Sequence, residues 1–314
     1  MRRKTLCVAL AAGLLLTLLP AMLFAGGGGE KGKKITIGMP LYNQQHEFWQ
    51  NIYNTAKSYA AEKGIELIAV DSNYDAARQV SIMEDMLTKK VDALILGAVD
   101  PKGVLPTVDE YVKAGIPVVA VDNPLERGVV TFVGIDNKQG GVMGGEWAGK
   151  YIKEKLGGRA NIAILDYPIE QACIDRADGF LEGVRKYAPD VKVVSRLDGF
   201  AVRDKAMAVM EDILQAHPEV NVVFGINDDS ALGALAAMEA AGKTKNNELI
   251  VGFDGTADAR EAIKKGSLLK ADVMQDPVAF AKAAIDAALK ALKGEKLPAN
   301  TITATKVLDA SSVQ

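Results

Sequence analysis

ITIGMPLYNQQHEFWQNIYNTAKSYAAEKGIELIAVD, residues Ile35–Asp71, decides the fold. Its two ends, Ile35–Leu41 and Glu66–Asp71, are aliphatic runs of strand length. Between them Glu47–Lys63 carries its apolar residues at a helical period of about 3.6. A strand, a helix and a strand in that order make a βα unit, which lays its strands side by side in a parallel sheet.

The pattern repeats along the chain. Further strands are expected near Ala93–Gly97, Val118–Val121 and Thr131–Ile135, with helices near Ala76–Lys89 and Val104–Ala114. A second set follows, with strands near Ile162–Leu165, Lys192–Leu197, Val222–Ile226, Leu249–Phe253 and Leu269–Val273. Its helices fall near Val142–Leu156, Arg176–Tyr187, Arg203–His217, Ser230–Ala241 and Ala257–Lys265, and one more runs Pro277–Lys293 before a last strand near Ile302–Val307. The strand runs are almost continuously apolar, as expected where helices cover both faces of a sheet. The fold class is therefore α/β, and about five strands in each half fit two similar doubly wound parallel-sheet domains.

Ahead of this pattern, Arg2, Arg3 and Lys4 precede an apolar run from Leu6 to Leu19, then Pro20 and the small-residue exit Leu23-Phe24-Ala25. That is the layout of a cleavable export signal, residues 1–25, and it is set aside from fold reasoning. Gly26–Lys34, GGGGEKGKK, offers nothing apolar to bury and reads as a flexible linker over residues 26–33. Removing 25 residues from 314 leaves 289, and takes away three cations to leave 34 basic against 40 acidic residues. The resulting net charge, about −6, has the wrong sign for a nucleic-acid binder. Only Cys173 of the two cysteines would survive cleavage, so no internal disulfide is expected; it reads as a small buried apolar residue.

In doubly wound sheets ligands sit beyond the carboxyl ends of the strands. Those positions carry Tyr42 and His46, Asp71, Asp100, Asp122 and Asn123, Asp136 and Asn137, then Asp166, Asn227-Asp228-Asp229, Asp254 and Gln275. Asp71, Asp100 and one of Asp228 and Asp229 have an ordinary explanation as helix caps. Phe48 and Trp49 add a different signal, because they open the first helix beside the first strand's end. A sugar has apolar C–H faces and a polar rim, so aromatic rings and hydrogen-bonding side chains converging on one place suit it.

Five stretches carry a resemblance to a known family: IPVVAVDN (Ile116–Asn123), VGIDN (Val133–Asn137), DRADGF (Asp175–Phe180), NDDSALGAL (Asn227–Leu235) and VGFDGT (Val251–Thr256). Through them the chain resembles the type I periplasmic sugar-binding proteins from Lys34 to about Val307. The resemblance implies two lobes joined by a three-strand hinge, residues 34–135 with 276–304 and residues 136–275 with 305–314. It implies an exported protein that closes on a monosaccharide and delivers it to the membrane permease of an ABC transporter, acting as a monomer, with a chemoreceptor as a further partner. A polyol or another small polar ligand, or a role in sensing, is the alternative. By the same resemblance Phe48 stacks on the ring, and Asp122, Arg176, Asn227, Asp254 and Gln275 bind its rim. Tyr42 falls where hexose-binding members carry a tyrosine. The departures are Asn123 in place of an arginine, His46 in place of Asn or Asp, and Ala201 in the slot of the second stacking aromatic, a role Phe200 takes if the register slips. No calcium loop is recognisable, so neither metal nor cofactor is expected.

Other functions find little footing. Gly27, Gly29 and Gly32 match a dinucleotide fingerprint but precede the first strand, and Gly144, Gly149 and Lys150 match a phosphate loop but lie within a helical stretch and are followed by Tyr151. With only His46 and His217 there is no histidine cluster for zinc, and no G-x-S-x-G turn occurs. Asp122 and Asp254 facing each other as a glycosidase pair is the enzymatic rival. A sugar-sensing repressor would need a basic helix-turn-helix where this chain has an export signal.

Overall fold

A computed structural model of the chain describes residues 34–243 and 247–313. The expected signal and linker, residues 1–33, lie outside the described residues.

Strands β1 (Thr36–Leu41), β2 (Glu66–Asp71), β3 (Ala93–Leu96), β4 (Val118–Val121) and β5 (Thr131–Gly134) form one sheet with β11 (Asn300–Ile302), in the order β11-β5-β4-β3-β1-β2 and parallel throughout. Strands β6 (Asn161–Asp166), β7 (Lys192–Asp198), β8 (Val222–Gly225), β9 (Leu249–Asp254) and β10 (Leu269–Met274) form the other with β12 (Lys306–Asp309), in the order β12-β10-β9-β8-β6-β7. Only β12 runs antiparallel there, at the edge. Both sheets reverse their strand order at the same place, beside β1 and beside β6. The crevice at such a reversal is where this topology leaves room for a ligand.

Around the first sheet pack α1 (Glu47–Glu62), α2 (Ala76–Thr88), α3 (Leu105–Lys113) and, returning from the far end of the chain, α9 (Pro277–Leu292). The second sheet is covered by α4 (Asn137–Lys155), α5 (Gln171–Tyr187), α6 (Arg203–Ala216), α7 (Asp228–Ala240) and α8 (Ala257–Lys264). The central strands are buried on both faces because their side chains alternate between two helical layers, while the edge strands β2, β7 and β11 stay partly exposed. In β3, for example, Ile95 joins the α1 and α9 side with Phe280 and Ala284, whereas Leu94 and Leu96 join the α2 and α3 side with Met83 and Tyr111. Among the described residues no helix is long and apolar enough to cross a membrane.

Between the two sheets the chain passes three times: from β5 to α4, from β10 to α9, and from β11 to β12. The single last strand expected near Ile302–Val307 is two strands, one in each sheet. The peptide between them is taken up by the crossing itself, where Thr303 N–H donates to Gly134 O at 2.8 Å and the Thr305 hydroxyl to Met274 O at 2.7 Å. Asp136 and Asp276 cap the helices that leave the other two crossings, accepting from Gln139 N and Ala279 N, each at 2.9 Å.

Helix α4 starts at Asn137, five positions before the expected start, because its first turns are rich in glycine and carry almost no periodic signal. Those glycines have a packing reason. A Cβ on Gly141 would overlap the carbonyl oxygen of Arg176, one on Gly145 that of Phe180, and in return one on Gly179 would overlap Lys138 O. Helices α4 and α5 therefore touch backbone to backbone. Of the phosphate-loop stretch Gly144–Lys150, Gly145 and Gly149 belong to this seam, whereas Gly144 faces Val273.

Candidate functional site

The carboxyl ends of the two sheets face each other across a cavity walled from both sides.

From the first sheet, β1 ends at Leu41 and delivers Tyr42, after which Asn43 Oδ1 accepts from the N–H groups of Gln45 (2.9 Å) and His46 (2.8 Å) and turns the chain into α1. Helix α1 brings Phe48 and Trp49 to the wall. Trp49 stacks on Tyr42 with ring centroids 5.0 Å apart and planes 3° from parallel, and Phe48 meets Trp49 edge-on at 5.6 Å. The indole is admitted by Gly97, where a Cβ would overlap the Trp49 ring. Tyr74, in the turn after β2, adds its edge to Tyr42 at 5.1 Å. At the end of β4, Asp122 holds a positive φ of 65° and lines the cavity.

From the second sheet, Arg176 on α5 occupies the middle of the wall. Its Nε donates to Asn137 Oδ1 at 2.7 Å and its Nη1 to Ile226 O at 3.2 Å, and its guanidinium lies 4.1 Å from the Phe253 ring centroid. Nη1 stands 3.5 Å from Asp254 Oδ1, and Nη2 reaches across the cleft to 3.7 Å from Asp122 Oδ1. Asp254 ends β9 with φ 123°, a conformation costly for a residue with a side chain. Gln275 holds it there, donating its backbone N–H to Asp254 O at 3.1 Å and its amide to Asp254 Oδ1 at 2.8 Å, while Asp272 Oδ1 receives the next N–H, from Gly255, at 3.0 Å.

Hydrogen bonds and ion pairs join the walls directly. His46 Nε2 lies 3.0 Å from Asp229 Oδ2 and 3.1 Å from Asn227 Nδ2. It donates to the carboxylate, the amide's own hydrogen going to Ala201 O at 3.1 Å. Tyr42 donates its hydroxyl to Glu170 Oε1, in the loop before α5. The structure is closed.

The acids here are perturbed mainly by burial. Loss of water raises Glu170 to about 7, its Tyr42 hydrogen bond opposing and the nearby Asp122 charge adding to the rise. Burial likewise raises Asp254 to about 7 against the pull of Arg176, and raises Asp122 against the same guanidinium. For His46 burial works downward but is outweighed by the hydrogen bond and charge of Asp229, so the imidazole ends above its ordinary value.

Of the residues singled out in the sequence, Tyr42, His46, Phe48, Trp49, Asp122, Arg176, Asn227 and Asp254 line the cavity together. Asn123 does not: it turns its amide to Ala98 O at 2.8 Å and braces the loop after β3. Gln275 stands behind Asp254. Phe200 is 45% exposed outside the cavity, under the Lys205 ammonium, and Ala201 takes the wall position. Asn227, not Asp228 or Asp229, caps α7, accepting from Ser230 N at 2.9 Å. Asp71 and Asp100 cap no helix; they close turns on Asn73 N and on Lys102 N and Gly103 N. Tyr74, Glu170, Cys173, Ala201 and Ile226 also line the cavity and were not singled out as site residues. Cys173 is buried as expected, yet its thiol faces Glu170 Oε2 at 3.7 Å. Among the described residues no three His, Cys, Asp or Glu side chains are grouped to hold a metal ion.

Comparison with known proteins places this arrangement in context. Residues 37–296 match the model of the periplasmic binding protein domain. The ribose import binding protein of Bacillus subtilis is 35% identical over 279 residues, 88% of each chain. An ABC transporter solute-binding protein from Mycobacterium smegmatis with bound glycerol superposes with a TM-score of 0.83 at 34% identity, covering 89% of this chain and 96% of that one. A second, from Actinobacillus succinogenes 130z with bound D-allose, superposes at 0.82 with 29% identity, covering 89% and 99%. With its two doubly wound lobes and the cavity enclosed between them, the chain belongs to the periplasmic binding protein family.

Proposed function

We propose that the chain captures a monosaccharide between its lobes and hands it to the permease of an ABC importer. The observation that carries this reading is the makeup of the cavity: stacked aromatics on one wall and charged hydrogen-bonding groups on both. The ligands of the relatives, ribose, D-allose and glycerol, support a polyhydroxylated ligand. The glycerol-bound neighbour favours a polyol as the second reading. We assign the lobes to residues 34–135 with 276–304 and 136–275 with 305–314, limits that agree with the sheet to which each strand belongs. The protein acts as a monomer outside the cytoplasmic membrane, after loss of its signal, and leaves its ligand chemically unchanged.

Contacts are assigned to Tyr42, His46, Phe48, Trp49, Asp122, Arg176, Asn227 and Asp254, with Asn123 and Gln275 holding the loops that present them. Binding to the folded state alone stabilises by RT ln(1 + [L]/Kd), about 2.7 kcal/mol at a hundredfold excess over Kd. A thermal-shift screen of pentoses, hexoses and polyols is therefore expected to give a clear rise in Tm for at least one of them. No rise with any member of the panel would overturn the reading.

A further inference from the structure

The cavity is lined by more carboxyl groups than cationic ones. Asp122, Glu170 and Asp254 all line it, each more than nine-tenths buried, and the guanidinium of Arg176 is the cation set against them. His46 does not restore the balance, because its Nε2 stands 3.0 Å from Asp229, a carboxylate outside the cavity lining that forms one ion-pair group with His46, Arg203 and Asp258, two acids to two cations. Beside Asp122 stands the neutral amide of Asn123, turned away to Ala98 O. Buried charge in this excess is costly unless a cation or a bound proton neutralises it, and the values of about 7 for Glu170 and Asp254 mean that without a ligand cation protons take that place.

The excess is also placed. Arg176 hydrogen-bonds Asn137 and the Ile226 carbonyl, and it lies 3.5 Å from Asp254 but only 3.7 Å from Asp122, too far for a hydrogen bond. Asp122 Oδ1 is fully buried and accepts none. Glu170 is held by the Tyr42 hydroxyl and by a thiol, both uncharged. A metal ion does not fit, since three acidic or imidazole ligands are not brought together anywhere among the described residues. A hydrogen-bond donor that carries positive charge and is small enough to sit on a sugar does fit.

Building on the monosaccharide reading above, we infer that the ligand is an amino sugar or amino polyol whose ammonium group is received by Asp122 Oδ1 and Glu170. A hydroxyl offers one proton to this region, whereas an ammonium offers up to three and supplies the missing charge. Tyr42 gains a second role, since its bond to Glu170 fixes the carboxylate from the opposite lobe. The three functional parts of the wall then divide: Trp49 and Phe48 take the ring or chain, Arg176 and Asp254 take hydroxyls, and Asp122 with Glu170 take the nitrogen.

The test is a paired titration of the purified chain with 2-amino-2-deoxyhexoses, aminopentoses and 1-amino-1-deoxypolyols, each beside its neutral hydroxyl parent. At least one amine is expected to bind about ten- to a hundredfold tighter than its parent, the range of one charge-assisted hydrogen bond. Glu170→Gln keeps the side-chain size and the reach to Tyr42, and is expected to bring the two affinities of that pair together. If that variant's apo Tm shows that it has not folded, Asp122→Asn provides the same comparison. Neutral parents that bind as tightly as every amine would overturn the inference and leave the monosaccharide reading intact. No binding by either half of the panel would overturn both.

Discussion

Gly97 can carry no side chain because the Trp49 indole occupies the space, and that one contact decides whether Trp49 lies flat against Tyr42. Gly97→Ala is expected to push the indole off its stack and weaken ligand binding about tenfold, at a stability cost of about 1–3 kcal/mol for the overpacked site. Titration and melting of the same variant measure both; unchanged affinity would remove Trp49 from the wall's function. Arg176 is a different case, being both an ion-pair partner and a site residue. Arg176→Ala leaves Asp122 and Asp254 without their guanidinium, so it is expected to lower affinity about ten- to a hundredfold. The apo protein is expected to lose stability as well, because Asn137, the Ile226 carbonyl, the Phe253 ring and Asp254 belong to the same lobe as Arg176 and keep those contacts when the lobes part; melting without ligand measures the loss. Phe48, Trp49, Asp122, Asn227 and Asp254 were legible in the sequence because each follows a strand end or opens a helix, whereas Arg176, in the second turn of α5, was legible only through the family resemblance. Glu170 and Tyr74 were not, because they sit inside loops where no period constrains direction. Asp166, at the strand end nearby, drew the eye instead and spends its charge on Arg196 at 2.6 Å.

At the scale of elements, α4 and α5 bring Arg176 to its place through a seam without side chains. Gly141→Ala would drive a methyl into the backbone of α5 at Arg176 itself, whereas a methyl at Gly144 would meet side chains alone, Val273 Cγ2 at 2.8 Å and Val251 Cγ1 at 3.7 Å. Gly141→Ala is therefore expected to destabilise by about 1–3 kcal/mol, a drop of several degrees in Tm, and to weaken binding as well. Gly144→Ala should lower Tm less and spare affinity; equal losses would show that the seam does not position the guanidinium. The central strands were legible because burial on both faces leaves a short apolar run between helical stretches. The start of α4 was hidden by the same glycines that allow the seam, and the split of the last strand by a crossing whose hydrogen bonds, from Thr303 and Thr305, have no sequence period.

For the whole molecule the buried acids tie closure to pH. Glu170 and Asp254 have values near 7 in the closed structure, raised above the ordinary carboxylate range of about 4 that they would keep in a wet, open cleft. A raised value means that the closed form binds more protons than the open one. Its advantage is thus complete below about pH 4 and is lost as pH rises through about 7. His46, also raised, acts in the same direction. Small-angle scattering of the ligand-free chain should accordingly show a radius of gyration that increases between pH 5 and pH 8, by hinge motion at the three crossings. A radius constant over that range would mean that the lobes do not part. Closure on a ligand follows from the same geometry, because only the closed form makes both sets of contacts.

The most direct test of capture between two lobes is calorimetric titration of the tightest-binding sugar into the wild-type chain, Asp122→Asn and Asp254→Asn, one carboxylate from each wall. The account predicts one ligand per chain and an affinity lowered about ten- to a hundredfold by either substitution. Binding that is abolished from one wall and untouched from the other, or that never saturates at one ligand per chain, would contradict it.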